Sequence, residues 1–316
     1  MISSARALME QLLDYAGLFP PAALPLEQAI RNYAVYRDGR DAWMLGRFII
    51  PAAQLEKLSP YMPMFSGDRP LLLSVLGTRS RDAEECLRLF GDTLRQTEAF
   101  RGRHGSSVNI DVLELPLPPA GADRRLLDEM AAGASEHGLR LFFEWTFPLD
   151  GDWGSRIEEG LDAVKRCASQ GGMQPGVKLR TGGVTSDAFP SPEQVAAVLV
   201  GCRDRQLALK FTAGLHHPVR MYREEVKTEM HGFLNVFVAG MLAHVYKLGR
   251  DKTAEILADK DPDSFVFLPD ALGWRTLTIS ADEVRRLRNL ALCSYGSCSF
   301  DEPRDELREL KSQSLE

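Results

Sequence analysis

Short apolar runs and helical stretches alternate along most of this chain, and that alternation narrows the folds open to it. The runs that read as strands are AWMLGRFIIP (42–51), LLLSVLG (71–77), VNIDVLELPL (108–117), LRLFFEWTFP (139–148), GVKLRTGG (176–183), LALKFTAG (207–214) and LALCSYG (290–296). A further short strand is expected within AGLFPPAALP (16–25), behind a helix over Ser4 to Tyr15. Helices are expected at Leu26 to Arg37, Asp82 to Phe100, Asp123 to His137, Ser155 to Gln170 and Ala281 to Asn289. Another opens at Ser191-Pro192-Glu193-Gln194, with a cap residue, a Pro in the first turn and Gln three places after the cap. Eight strands in alternation with helices predict an α/β fold, a closed (β/α)8 TIM barrel, as one domain over 1–316.

The stretch from Val219 to Ser280 breaks the alternation. It holds an apolar helix at Gly232 to Tyr246, a shorter helix near Thr253 to Ala258, and FVFLPDALGWRTLTI (265–279), which reads as a β-hairpin around Pro-Asp. The expectation is an insertion after strand seven, on the active-site face, with the apolar helix either a lid or a face for a second subunit. A barrel commonly takes about 250 residues, so a 316-residue chain has room for such a segment.

Bulk properties exclude several classes. A net charge of −6 gives no positive excess for nucleic acid. The apolar helix is too short to cross a bilayer and reads as a buried helix, and Arg6, Glu10 and Asp14 interrupt the N-terminus where a signal peptide would need an apolar core. Cysteines at 86, 167, 202, 293 and 298 are odd in number and form no CxxC pair, which points to reduced thiols and a cytoplasmic location. No cofactor and no metal are expected; the partner is a small-molecule carbonyl substrate, with a homo-oligomer possible.

The chemistry concentrates in two segments that each put a lysine before a threonine and a glycine turn, GVKLRTGG and LALKFTAGLHHP. Strand, helix, strand at this spacing is a parallel βαβ unit, which would set Lys178 and Lys210 on adjacent strands. Lysine is costly to bury. One explanation is an ordinary ion pair with a carboxylate. The other is an amine nucleophile, Lys178, whose pKa is lowered by the second ammonium in a dry pocket. By alternation Lys178 and Arg180 share one face of their strand, and Lys210 and Thr212 one face of theirs; Arg180, Thr181 and Thr212 are expected substrate contacts beside the lysines.

Strands four to eight resemble those of deoxyribose-phosphate aldolase, a class I aldolase that works through a lysine Schiff base. GVKLRTGG is similar to that family's strand-six Lys-Thr-x-Thr-Gly segment, with Thr181 and Gly182 in the matching places. ALKFTAG resembles its strand-seven lysine segment, NIDVLELP puts Asp111 at its strand-four aspartate, and RLFFEW puts Glu144 at its strand-five glutamate. CSYGSCSF resembles its strand-eight phosphate turn, which implies binding roles for Gly296, Ser297 and Ser299. The family's Gly-Gly-Val turn after strand seven is replaced here by Gly214-Leu215-His216-His217, and Asp301 and Glu302 follow the strand-eight turn. Those acids would repel a phosphate, and Ser299 with Glu302 also reads as a capping box.

The resemblance implies an imine on Lys178, Lys210 as its activator, Asp111 as general acid/base and Glu144 as orienting or pairing group. Arg47 lies in the apolar run Met44 to Ile50, where it either clamps a substrate anion or neutralises a barrel acid. His216 and His217 stand in a loop where barrels place chemistry, as proton shuttle or substrate contacts. They are also candidate metal ligands with Glu114, Glu144 or His231. Three functions stay open: a lysine-imine lyase acting on a small carbonyl or sugar-like substrate, a metal-dependent barrel isomerase or hydrolase, and a barrel that only binds a ligand.

Overall fold

The structure is a computed structural model that describes residues 3–119, 121–167 and 173–313. After a short helix α1 (Ser3–Met9), seven strands follow in the expected alternation. They are β1 (Leu13–Tyr15), β2 (Leu45–Pro51), β3 (Leu71–Leu76), β4 (Val108–Pro116), β5 (Arg140–Glu144), β6 (Gly176–Arg180) and β7 (Leu209–Thr212). Outside the barrel lie β8 (Met221–Arg223), β9 (Thr228–Met230), β10 (Phe265–Phe267), β11 (Ala271–Trp274) and β12 (Leu277–Ser280). The last barrel strand is β13 (Leu292–Ser297). The eight barrel strands close in the order β1-β13-β7-β6-β5-β4-β3-β2, so the chain is a (β/α)8 TIM barrel. The fold divides into two compact units, Asp14–Lys178 and a second made of Met1–Leu13 with Leu179–Glu316.

The unit Asp14–Lys178 carries the helices α2 (Leu26–Asp38), α3 (Ala83–His104), α4 (Arg124–Glu136) and α5 (Trp153–Arg166). Asp82 and Asp123 cap α3 and α4 by accepting from the N–H groups of Glu85 and Leu126. The predicted tail of α5 at residues 168–170 lies outside the described residues. The sequence gives no sign of a 3-10 stretch at Ala52–Met64; Pro60 and Pro63 withhold the N–H donors that an α-helix there would need. The first strand differs from expectation. The expected helix Ser4 to Tyr15 stops at Met9, Gln11 takes a positive φ of 46°, and the strand is Leu13–Tyr15 rather than a run within 16–25. Three residues are too few to show a period of two.

One irregularity sets the site. β3 and β4 pair Leu73 with Ile110 and Ser74 with Val112, which leaves Asp111 as the extra residue of a bulge. Past the bulge the alternation of faces on β4 restarts, and the residue carried to the level of Leu76 and Phe142 is Glu114.

The second unit contains α6 (Pro192–Arg205), α7 (Phe233–Tyr246), α8 (Arg250–Ala258), α9 (Ala281–Leu290) and α10 (Asp301–Gln313). The capping box at Ser191 and Gln194 is formed in full. The apolar helix is not a lid. Every residue of α7 from Phe233 to Ala243 is buried, with Phe237 edge-on to Phe211 of β7 at 5.2 Å and Phe233 stacked on Tyr295 of β13 at 5.7 Å. It is the crossover helix between these two strands, apolar all round because α6 and α8 cover its other sides. The predicted hairpin at 265–279 is a three-stranded antiparallel sheet, β10-β11-β12, and β8 and β9 form a separate two-stranded antiparallel sheet that left no sequence signal.

His231 and Asn235 tie this region together. His231 Nε2 donates to the Pro190 carbonyl at 2.7 Å and Nδ1 accepts from Arg220 at 3.1 Å. Asn235 accepts from the Arg220 N–H and donates to the carbonyls of Ile256 and Asp259. Burial, opposed by the Pro190 carbonyl and reinforced by Arg220, pushes the His231 pKa down to about 4. The unfolded chain takes up that proton near pH 6.5, so the stability His231 contributes is complete above this pH. It is lost as pH falls from 6.5 towards 4. Urea unfolding at pH 7 and pH 5 should differ by about 2 kcal/mol from this residue, and His231→Gln should remove that part of the pH dependence.

Candidate active site

β4, β5 and β6 each send one ionisable side chain to a common point. Glu144 and Lys178 are register partners on β5 and β6, and the Lys178 ammonium lies 2.8 Å from Glu144 Oε2 and 2.5 Å from Glu114 Oε2. Ser74 on β3 donates its hydroxyl to Glu114 Oε1 at 2.6 Å. The side chains of Lys178, Glu114 and Glu144 are 4%, 0% and 3% exposed, so these charges are screened by one another and hardly by water.

This company reverses the expected electrostatics. Burial alone pushes the Lys178 ammonium down, but the charges of Glu114 and then Glu144, with hydrogen bonds to both, override it and hold its pKa above the ordinary lysine range. The resting group is therefore an ammonium, not an amine made neutral by Lys210. Lys210 is itself buried, and its Nζ donates to Ser294 Oγ of β13 at 3.2 Å.

Asp111 is not the acid that reaches Lys178. It is the bulge residue, gripped by Arg47 through Nε to Oδ1 at 2.6 Å and Nη2 to Oδ2 at 2.5 Å. The Arg47 N–H also donates to Asp14 at 2.6 Å. Arg47 thus neutralises barrel acids, and its fork is already filled by a carboxylate.

Arg180, the last residue of β6, is half-buried. Thr181 acts through its backbone and hydroxyl: its N–H donates to Thr212 O at 2.9 Å, and its hydroxyl to Ala213 O. Gly214 has φ +74°, and a Cβ there would stand 2.9 Å from Gly182 Cα and from Thr181 O. The paired Thr-Gly segments are alike because they lock onto each other, which is a structural role for Thr181 and Thr212 that sequence spacing did not reveal.

Beyond β7 and β13, His216 and His217 face the start of α10. His217 Nδ1 meets both Glu306 oxygens at 2.9 and 2.8 Å, and His216 Nδ1 lies 3.4 Å from Glu302 Oε2 and 3.8 Å from Cys298 Sγ. Burial alone pushes the His216 pKa down, but Cys298 and Glu302 outweigh it and hold the pKa up at about 9. Gly296 and Ser297 are buried at the end of β13; Ser297 donates to Ser299 O at 2.6 Å and Ser299 Oγ accepts from the Glu302 N–H at 3.1 Å. The hydroxyls that resemble a phosphate turn serve to start α10.

The groups missed by sequence were Glu114 as a partner of Lys178, Ser74 as the donor to Glu114, and Glu302, Glu306 and Cys298 as partners of the histidines. Glu114 left one usable signal, an acid within the apolar VLELPL. Glu302 and Glu306 left another, a spacing of four at the head of a helix.

Removing the ammonium should expose the charge balance. Lys178→Met leaves two buried carboxylates without a counter-charge, and a loss of about 3–5 kcal/mol at pH 7 is expected from chemical denaturation. The deficit should shrink as pH falls, because the orphaned acids can then take up protons. A loss independent of pH would mean that the charges are not coupled.

No family model and no curated protein matches the chain. Among solved structures, "QR15, an Aldolase" resembles it with a TM-score of 0.49 at 10% identity, over 98% of this chain and 99% of that one. A lysine/ornithine decarboxylase from Vibrio vulnificus, complexed with cadaverine, gives a TM-score of 0.43 at 13% identity, over 93% of this chain and 58% of its own. A family 5 glycoside hydrolase from Prevotella bryantii gives 0.31 at 8% identity, over 81% and 98%. Likenesses this weak carry no argument about function.

Proposed function

We propose that the protein is a lyase of the class I aldolase kind, which makes or breaks a carbon–carbon bond beside a carbonyl through an imine on Lys178. The observation that supports this reading is the buried ammonium of Lys178 held between Glu114 and Glu144. An ion pair built only for stability needs one acid; a second acid gives the centre a spare proton acceptor.

The steps follow from that surplus. When a carbonyl carbon approaches Nζ, one carboxylate accepts the ammonium proton over the 2.5–2.8 Å already present, and the neutral amine adds to the carbonyl. The same carboxyl returns the proton to the carbinolamine hydroxyl, which leaves as water and gives the iminium. The second carboxylate then removes the proton from the substrate's β-hydroxyl. That oxygen becomes a carbonyl, and the electrons of the breaking carbon–carbon bond pass into the iminium to form an enamine. Protonation of the enamine carbon and hydrolysis release the second product and restore the lysine. Exclusion of water protects the imine from early hydrolysis.

Glu114→Gln and Glu144→Gln should each lower kcat by about 10²–10⁴-fold while leaving Lys178 available for trapping. The direct test is incubation with small aldehydes and ketones, among them acetaldehyde, pyruvate and glyceraldehyde, followed by borohydride and peptide mass analysis. A reduced adduct on the peptide that contains Lys178 is expected. An adduct confined to Lys210, or equal trapping in Lys178→Ala, overturns the reading.

A further inference from the structure

The side chains gathered beyond β7 and β13 have a second kind of chemistry available to them. His217, Glu302 and Glu306 each present a ligand atom, one imidazole nitrogen and two carboxylate oxygens, and the three atoms lie within 4.8 Å of one another. They come from two elements whose placement is fixed independently. The His217 carbonyl accepts from the Phe233 N–H at the start of α7, which anchors its loop to the crossover helix. Glu302 and Glu306 are four apart on α10, so they occupy the same face of that helix. Ser299 fixes the start of α10 by accepting from the Glu302 N–H.

We propose that His217, Glu302 and Glu306 bind one divalent transition-metal ion of the zinc or manganese class. The donor set is right: imidazole and carboxylate suit such ions, and two carboxylates with a neutral imidazole balance a double positive charge. The geometry needs only a small change. His217 Nδ1 now stands a hydrogen-bond length from both Glu306 oxygens, 2.9 and 2.8 Å. An ion that replaces the shared proton at about 2.0–2.1 Å from each donor would spread them to about 3.3 Å. His217 is buried, whereas Glu302 and Glu306 are about one-third exposed, so an ion can enter from the acid side.

Two neighbours support a built site. His216 Nδ1 touches Glu302 from behind at 3.4 Å, the position of a group that orients a ligand carboxylate. Tyr295 is fully buried, and its hydroxyl has no hydrogen-bond partner among the described residues. Glu302 and Glu306 are both among the charges that act on this phenol. Three protein ligands leave a fourth position for water or for a hydroxyl or carboxylate oxygen of a small molecule. The site stands at the C-terminal ends of β7 and β13, the end on which barrels carry ligands.

The test uses the whole chain, stripped with chelator and titrated with Zn²⁺ by calorimetry, with Co²⁺ absorption as a second readout. One equivalent should bind, and the visible band of Co²⁺ should show low coordination number. His217→Ala and Glu306→Gln should each weaken binding at least ~10-fold; Glu302→Gln serves if His217→Ala fails to fold by circular dichroism. Absence of saturable binding overturns the proposal, as does wild-type affinity in Glu302→Gln and Glu306→Gln. Borohydride trapping on Lys178 is read on the stripped protein, so failure of either reading is visible without the other.

Discussion

An ammonium closed off from water inside a barrel is tolerable only where opposite charge is built around it, and the centre of this molecule is arranged to satisfy that demand. Lys178 would be driven to lose its proton by burial, yet Glu114 and Glu144 keep it charged. The three side chains come from three successive strands, so the charge balance is also a statement of register: a slip of one residue on any of them would leave a buried charge alone. Ser74 extends the constraint to a fourth strand by occupying the other oxygen of Glu114. The acid surplus that makes the cluster demanding to bury also gives it somewhere to move a proton.

The same rule governs two other cations, half-buried Arg47 and buried Arg288. Arg47 is clamped by Asp111 and, through its backbone, by Asp14. Arg288 of α9 spreads its guanidinium over the carbonyls of Leu8, Glu10 and Leu292. Buried positive groups are met by whatever acceptor the local backbone or a neighbouring strand presents. The contrast lies in what they meet: fixed carbonyls hold an arginine still, while paired carboxylates offer a lysine an alternative home for its proton.

Much of the barrel was legible because its strands are apolar runs of a length that no surface element would carry, and because caps such as Ser191 and Ser280 mark where helices begin. β1 was hidden by its length and by a helix break at Gln11 that needs a positive φ no composition announces. The apolar helix was visible, but its place was not: uniform hydrophobicity reads the same for a lid, an interface and a wall, and only Phe211 and Tyr295 on its flank decide for the wall. In the site, Lys178 was read from the paired lysine segments and Glu144 from the family resemblance, whereas the partner on β4 was not read. Counting by twos from Asp111 puts Glu114 on the far face, and the bulge cancels that count. The two Thr-Gly segments suggested ligand contacts, and they turned out to contact each other.

The bulge on β4 has a consequence for how this chain can change over time. Substitutions near Asp111 alter one side chain and leave Glu114 where it is. Loss of the extra residue itself would let β4 pair without interruption and keep Glu114 opposite Leu76, whereas loss of a residue after the bulge, at Val112 or Leu113, would shift Glu114 by one place and carry its carboxylate to the other face of the strand. The position of this acid is thus encoded in a count of residues more than in their identities. Past the bulge, deletions are filtered more severely than replacements, while the bulge itself can lose its extra residue without moving the acid.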